Sequence, residues 1–211
     1  MNHTKEKNPW LNIWLHTRET IQTVIQQKRT GMLIILIYLS GLQMALNFAL
    51  NLGTGDFSTF GGIIAISLVR GVIFGAVSWA ILSTLYFWIG KLFKGKGSWR
   101  EISRAYAWTM IPQVVTLVIY WPLAMIVFGG DLFTSNTPSL SAPMMLLNTF
   151  TLLFNMVVGI WSIFIIAQGI GAAHKISSWK GFFTIFISSF VAFTVLFIIT
   201  LSLFPGMMPD L

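Results

Sequence analysis

The sequence predicts an all-α, polytopic membrane protein whose chain crosses the bilayer five times. Three observations carry that expectation. Composition comes first: 55% of the residues are hydrophobic and only 9% are charged, whereas a soluble domain carries roughly 25% charged residues to wet its surface. A water-soluble fold of this length hides at most about 70% of its unfolded surface, so the solvent for this chain is lipid. The second observation is five apolar runs, each long enough for the ~20 residues that a crossing helix needs. The third is an alternation of positive charge between those runs.

The runs cover about 31–52, 63–90, 106–128, 144–168 and 182–204. In hydrocarbon every backbone group must be satisfied within its own segment, and runs this long are helices rather than barrel strands. They form one membrane domain over 31–211, preceded by a polar, amphipathic segment over 1–30. No short apolar core follows a basic start there, so no cleavable signal peptide is expected and the first span is an uncleaved anchor.

Lysine and arginine fix the direction. The N-terminal segment holds Lys5, Lys7, Arg18, Lys28 and Arg29. The second-to-third connection, KLFKGKGSWREISR, holds Lys91, Lys94, Lys96, Arg100 and Arg104. The fourth-to-fifth holds Lys175 and Lys180, while the alternate connections hold none and carry Asp56 and Asp131 instead. Short loops rich in Lys and Arg stay in the cytoplasm. The N-terminus is therefore expected inside and the C-terminus outside.

The cytoplasmic connections also carry local signals. Trp10, Ile13 and Trp14, then Ile21, Val24 and Ile25, recur at helical spacing. Such a helix either lies in the headgroup layer beside anionic lipid or packs on the inner ends of the spans. Ser98 and Glu101 form a capping-box pattern that starts a helix running into the third span. Trp99 with Arg100 and Trp179 with Lys180 place a ring and a cation where each helix re-enters the bilayer. Together Trp10, Trp14, Lys91, Lys94, Lys96, Trp99, Arg100, Arg104, Lys175, Trp179 and Lys180 form a candidate face for lipid or a partner. GKLFKGKG, residues 90–97, falls one residue short of a phosphate-binding loop, since Gly97 stands where Ser or Thr is required. It also follows a membrane helix rather than a buried strand, so nucleotide binding is not expected.

Polar groups inside the spans form the second candidate site. Gln43, Asn47 and Asn51 recur every four residues on the first span, and Asn148, Asn155 and Gly159 share a side of the fourth. On the second, Arg70 lies beside Gly71 and Gly75, a pair spaced for close helix packing. These amides serve as glue between helices, at about 0.6–2 kcal/mol each. Arg70 is different, because a charge at such depth costs ~2.5–3.5 kcal/mol by insertion scales. Three readings stand: a pocket for an anion or lipid headgroup in the outer half facing Asn47 and Asn155, a side chain that snorkels outward, or a pair with Asp56.

What the sequence lacks narrows the class. There is no cysteine, and His3, His16 and His174 have no metal-ligand spacing. No Asp, Glu, Lys or His lies within a span, which disfavours proton-coupled transport and leaves no base for an intramembrane nucleophile. The basic residues are scattered between apolar runs and form no groove-facing patch for nucleic acid. A non-enzymatic protein without cofactor or metal is expected. It organises or scaffolds membrane through its basic face, and the alternative is a transporter or lipid-handling protein using the Arg70 pocket.

The stretches NPWLNIWLHTRETIQTVI and FWIGKLFKGKGSWREISRAYAWTMIPQ, ending near Pro112, resemble the bacterial branch of the Yip1 family over most of the chain. That resemblance implies five spans with a cytoplasmic N-terminus, in a bacterial inner membrane. Eukaryotic relatives act in vesicle traffic through small GTPases, but their Asp-Leu-Tyr-Gly-Pro signature is absent here, so no GTPase partner is carried over.

Overall fold

A computed structural model describes residues 8–27, 29–135 and 142–203. Lys5, Lys7, Lys28 and His3 of the N-terminal segment lie outside the described residues. The chain folds into eight helices among those residues: α1 Pro9–Asn12, α2 Thr17–Gln26, α3 Thr30–Asn51, α4 Phe60–Leu92, α5 Trp99–Thr109, α6 Ile111–Phe128, α7 Ala142–His174 and α8 Ser178–Leu203. Five stretches are long and apolar enough to cross a membrane, namely Thr30–Asn51, Phe60–Leu92, Trp99–Phe133, Met144–His174 and Ser178–Ser202.

The helix ends differ from the hydropathy boundaries for physical reasons. The third span is two helices, because Pro112 cannot donate to the carbonyl of Trp108 and its ring crowds the preceding turn. The chain turns at Met110 and continues as α6. The fourth span runs on to His174, six residues past the apolar run, because residues 169–173 are all buried and packed rather than looped. The fifth starts earlier, at Ser178. The N-terminal segment is likewise two helices. Asn8 caps the first through Trp10 N (3.1 Å), and the chain turns over residues 13–15 before Thr17. Of the first apolar cluster only Trp10 therefore lies on α1, while Ile13 and Trp14 lie in the turn; Ile21, Val24 and Ile25 sit on α2.

Packing is tightest between α3 and α4. Ser67, Gly71 and Gly75 form the buried strip of α4. A Cβ at Gly71 would lie 2.9 Å from Leu42 Cα, and one at Gly41 would overlap the backbones of Gly71 and Gly75. In lipid, helices have no hydrophobic drive to associate, so this backbone-to-backbone contact is where dispersion can act. α5 is the hub at one end, with Ile102, Ser103 and every residue from Ala105 to Thr109 buried. It is stapled to α4 by Trp79, whose indole N–H donates to Ser103 O (2.9 Å), and by Trp99, whose indole N–H donates to Thr84 Oγ1 (3.2 Å).

The other end is closed by two short turns, Thr54–Asp56 and Gly129–Phe133. The Asp56 carboxylate accepts the Ser135 N–H (3.1 Å), and Phe133 stacks on Trp121 at 5.9 Å. The core thus has two clusters, a large one around α5 and a smaller one around Trp121.

Candidate functional site at the basic end

The loops that join α4 to α5 and α7 to α8 lie side by side and form a single basic end. Both begin with the same helix stop. The Gly95 N–H donates to Gly90 O and the Lys94 N–H to Lys91 O, each at 2.9 Å. At the other loop the Ile176 N–H donates to Gly171 O (2.9 Å) and the Lys175 N–H to Ala172 O (3.1 Å). This paired pattern requires a left-handed residue at the turn, normally glycine. Here Lys94 (φ 64°) and Lys175 (φ 58°) fill it. A left-handed conformation costs a side-chain-bearing residue about 1 kcal/mol, so both turns hold a cation where glycine would be less strained.

His174 locks the loops together. Its ring is fully buried and Nε2 lies 3.0 Å from Tyr86 O, while the Lys96 N–H donates to His174 O at 2.9 Å. Gly90 and Gly95 line the ring so closely that a Cβ at either would overlap the imidazole. In the sequence His174 shows only as a histidine without metal-ligand spacing; the signal for the lock was glycine at positions 90, 95 and 97, which reads equally well as a flexible connection.

Around this lock, Lys91, Lys94, Lys96, Trp99, Arg100, Lys175, Trp179 and Lys180 are exposed. Both capping-box bonds are present: Glu101 N donates to Ser98 Oγ (3.3 Å) and Ser98 N to Glu101 Oε2 (2.7 Å). This starts α5 beside the lysines. Arg104 is structural rather than free: it is half-buried, and Nη1 donates to Ile25 O (3.1 Å) at the end of α2. Arg18 holds the start of the same helix, donating to Ile176 O (3.0 Å) and Ser178 Oγ (3.2 Å). Between them Thr17, Thr20, Ile21 and Val24 are buried against the bundle. Trp10 and Trp14 are half-buried on the core, and Trp14 O accepts the Trp161 indole N–H (3.1 Å). Of the two readings of this segment, packing on the spans describes its buried side.

The intramembrane polar cluster is not gathered into one pocket. Arg70 is half-buried with its guanidinium 5.6 Å from the Phe48 ring, and Phe48 meets Phe74 edge-on at 5.6 Å. Asp56 is occupied by Ser135 instead of Arg70. The Asn47 amide donates to Gln43 O (3.0 Å) within its own helix, and Gln43 Oε1 is buried without a partner. Asn51, Asn148 and Asn155 are exposed, and the Asn155 amide bonds its own Thr151 O (3.0 Å). The expected convergence of Arg70, Asn47 and Asn155 is therefore replaced by contacts within each helix and one cation–ring contact. Among the described residues, no three acidic or histidine side chains come together to hold a metal ion.

A chain with five apolar spans and alternating basic connections is a multi-pass membrane protein. No curated protein and no solved structure matches it. Residues 11–200 match the Yip1 domain, from the N-terminal helices through nearly all of α8, and the chain belongs to the Yip1 family.

Proposed function

We propose that this protein is a non-enzymatic organiser of the bacterial inner membrane that works by holding a rigid basic face against anionic lipid headgroups. The observation that carries the reading is the lock at His174, which fixes two connections some eighty residues apart into one surface. Six exposed cations stand on it: Lys91, Lys94, Lys96, Arg100, Lys175 and Lys180. Cations near an anionic surface contribute about 1 kcal/mol each, and a fixed array loses less entropy on contact than separate loops would. The two left-handed lysines support the same reading, since strain of that kind persists where it serves a site.

The orientation belongs to this proposal: basic end and N-terminus in the cytoplasm, C-terminus outside, as short positive loops dictate. A reporter active only outside the cytoplasm is expected to be on when fused after Leu211 and off when fused at Gly97. The reverse pattern overturns the orientation.

The lipid reading is tested with the full chain in nanodiscs, scored for association with phosphatidylglycerol vesicles. Replacing Lys91, Lys94, Lys96 and Arg100 by Gln is expected to weaken association by ~1 kcal/mol per charge and to flatten its salt dependence. Lys94→Gly with Lys175→Gly separates function from stability. It should raise the melting temperature by relieving about 1 kcal/mol of strain per site, yet weaken association. Association unchanged in both variants refutes the proposal.

A further inference from the structure

Steps of three and four residues put Asn148, Thr151, Asn155 and Gly159 on one side of α7. Towards the basic end that side continues through Ser162, Ile170 and Ala173, all buried. In the half of α7 remote from the basic end it is uncovered. Asn148, Asn155 and Gly159 are exposed, and a Cβ built at Gly159 meets nothing within 4 Å. α8 is the principal neighbour of α7, and Thr151, Phe154 and Val158 are only half-buried in this stretch. Asn155 uses one N–H on Thr151 O. Its carbonyl oxygen and second N–H, and the whole amide of Asn148, are without partners among the described residues.

Asn155 lies thirteen positions into a 33-residue helix, well inside the hydrocarbon. Acyl chains offer an amide neither donor nor acceptor, and an unpaired amide there is costly. Such a group is expected to be covered by another helix, and the glycine one turn further on admits close approach. We infer that this side of α7 is a dimer interface and that its occupant is α7 of a second copy of the chain. A side-chain amide is both donor and acceptor, so it is complementary to itself. A two-fold axis in a shared bilayer brings Asn155 opposite its own copy at the same depth, leaving neither end of either amide unmatched. The one charged side chain within the apolar runs, Arg70, is already seated over Phe48.

The chain contains no cysteine, so single cysteines report contacts without background. In native membranes under mild oxidation, Asn155→Cys and Gly159→Cys are expected to give disulfide-linked dimers. Phe164→Cys, on the opposite and exposed side of α7, should give none. By energy transfer between labelled chains in lipid vesicles, Asn155→Leu should raise the dimer dissociation constant roughly tenfold, the size of an interhelical amide pair. Asn155 is exposed in the single chain, so this change leaves the fold intact, which a retained melting temperature verifies. Equal cross-linking at Phe164, or a chain monomeric at every dilution in vesicles, overturns the inference. So does cross-linking of Asn155→Cys only to a different protein, or only to a cysteine placed at Arg70 of the same chain.

Discussion

Gly41→Val is expected to prevent α3 from seating on α4 and so to abolish the fold. The hydrogen at Gly41 faces the backbone of Gly71 and Gly75 with no room for a carbon, and Gly75 in turn abuts Ile37 O. Neither obstacle is a flexible side chain that could swing aside. Overpacking a core usually costs about 1–3 kcal/mol because side chains adjust; here two helix axes must separate, and the dispersion contact that replaces a hydrophobic drive in lipid is lost along the whole strip. The measurement is thermal unfolding of the purified protein in detergent, with Gly61→Val as control, since a Cβ at Gly61 meets nothing within 4 Å. A Gly41→Val protein that melts with the control would show that the two helices do not pack through this strip.

The second large effect is expected at the lock. His174→Ala should destabilise the protein by about 3 kcal/mol, since it empties a fully buried site whose walls are backbone and cannot collapse into it. Gly90→Ala should cost a similar amount for the opposite reason: its methyl group takes the space of the imidazole. The two changes act on one volume, so their effects are expected to be strongly non-additive, with a coupling of about 1–3 kcal/mol. In the His174→Ala background the methyl group has somewhere to go, and Gly90→Ala should then be nearly harmless. Simple additivity would show that ring and glycine do not share the site. Each single variant keeps every cation of the basic face. Reduced association with anionic vesicles in either would therefore indicate that the fixed arrangement of the charges matters beyond their number.

The parts of this molecule that depend on few neighbours are legible in its sequence. Ser98 and Glu101 are three residues apart, and their capping box forms as the pattern requires. The five spans follow from length and hydropathy alone. The Pro112 turn was present in the sequence but hidden by the hydropathy window, which averages over the residues that bend the helix. Arg104 shows the limit more sharply. It reads as one more cation in a basic loop, yet it binds a carbonyl 79 positions earlier in the chain, and nothing in its local sequence distinguishes it from Arg100. Asn155 and Arg70 each look like members of a shared pocket because both are polar at similar depth. Depth does not set azimuth, and Asn148 and Asn155 are exposed on α7, with the Asn155 amide bonded within its own helix.

Sequence alone determined that the chain lives in lipid, how many times it can cross, and where its positive charge concentrates. Those properties sum over residues, and each residue contributes to them independently of the fold. Only the tertiary structure decided that two basic loops become one face, that His174 rather than a charge holds them, and that α2 is held by Arg18 and Arg104. Each of these is a contact between segments distant in sequence, set by backbone approach and hydrogen-bond geometry at distances of about 3 Å. A one-dimensional pattern carries no information at that scale until the helices have packed.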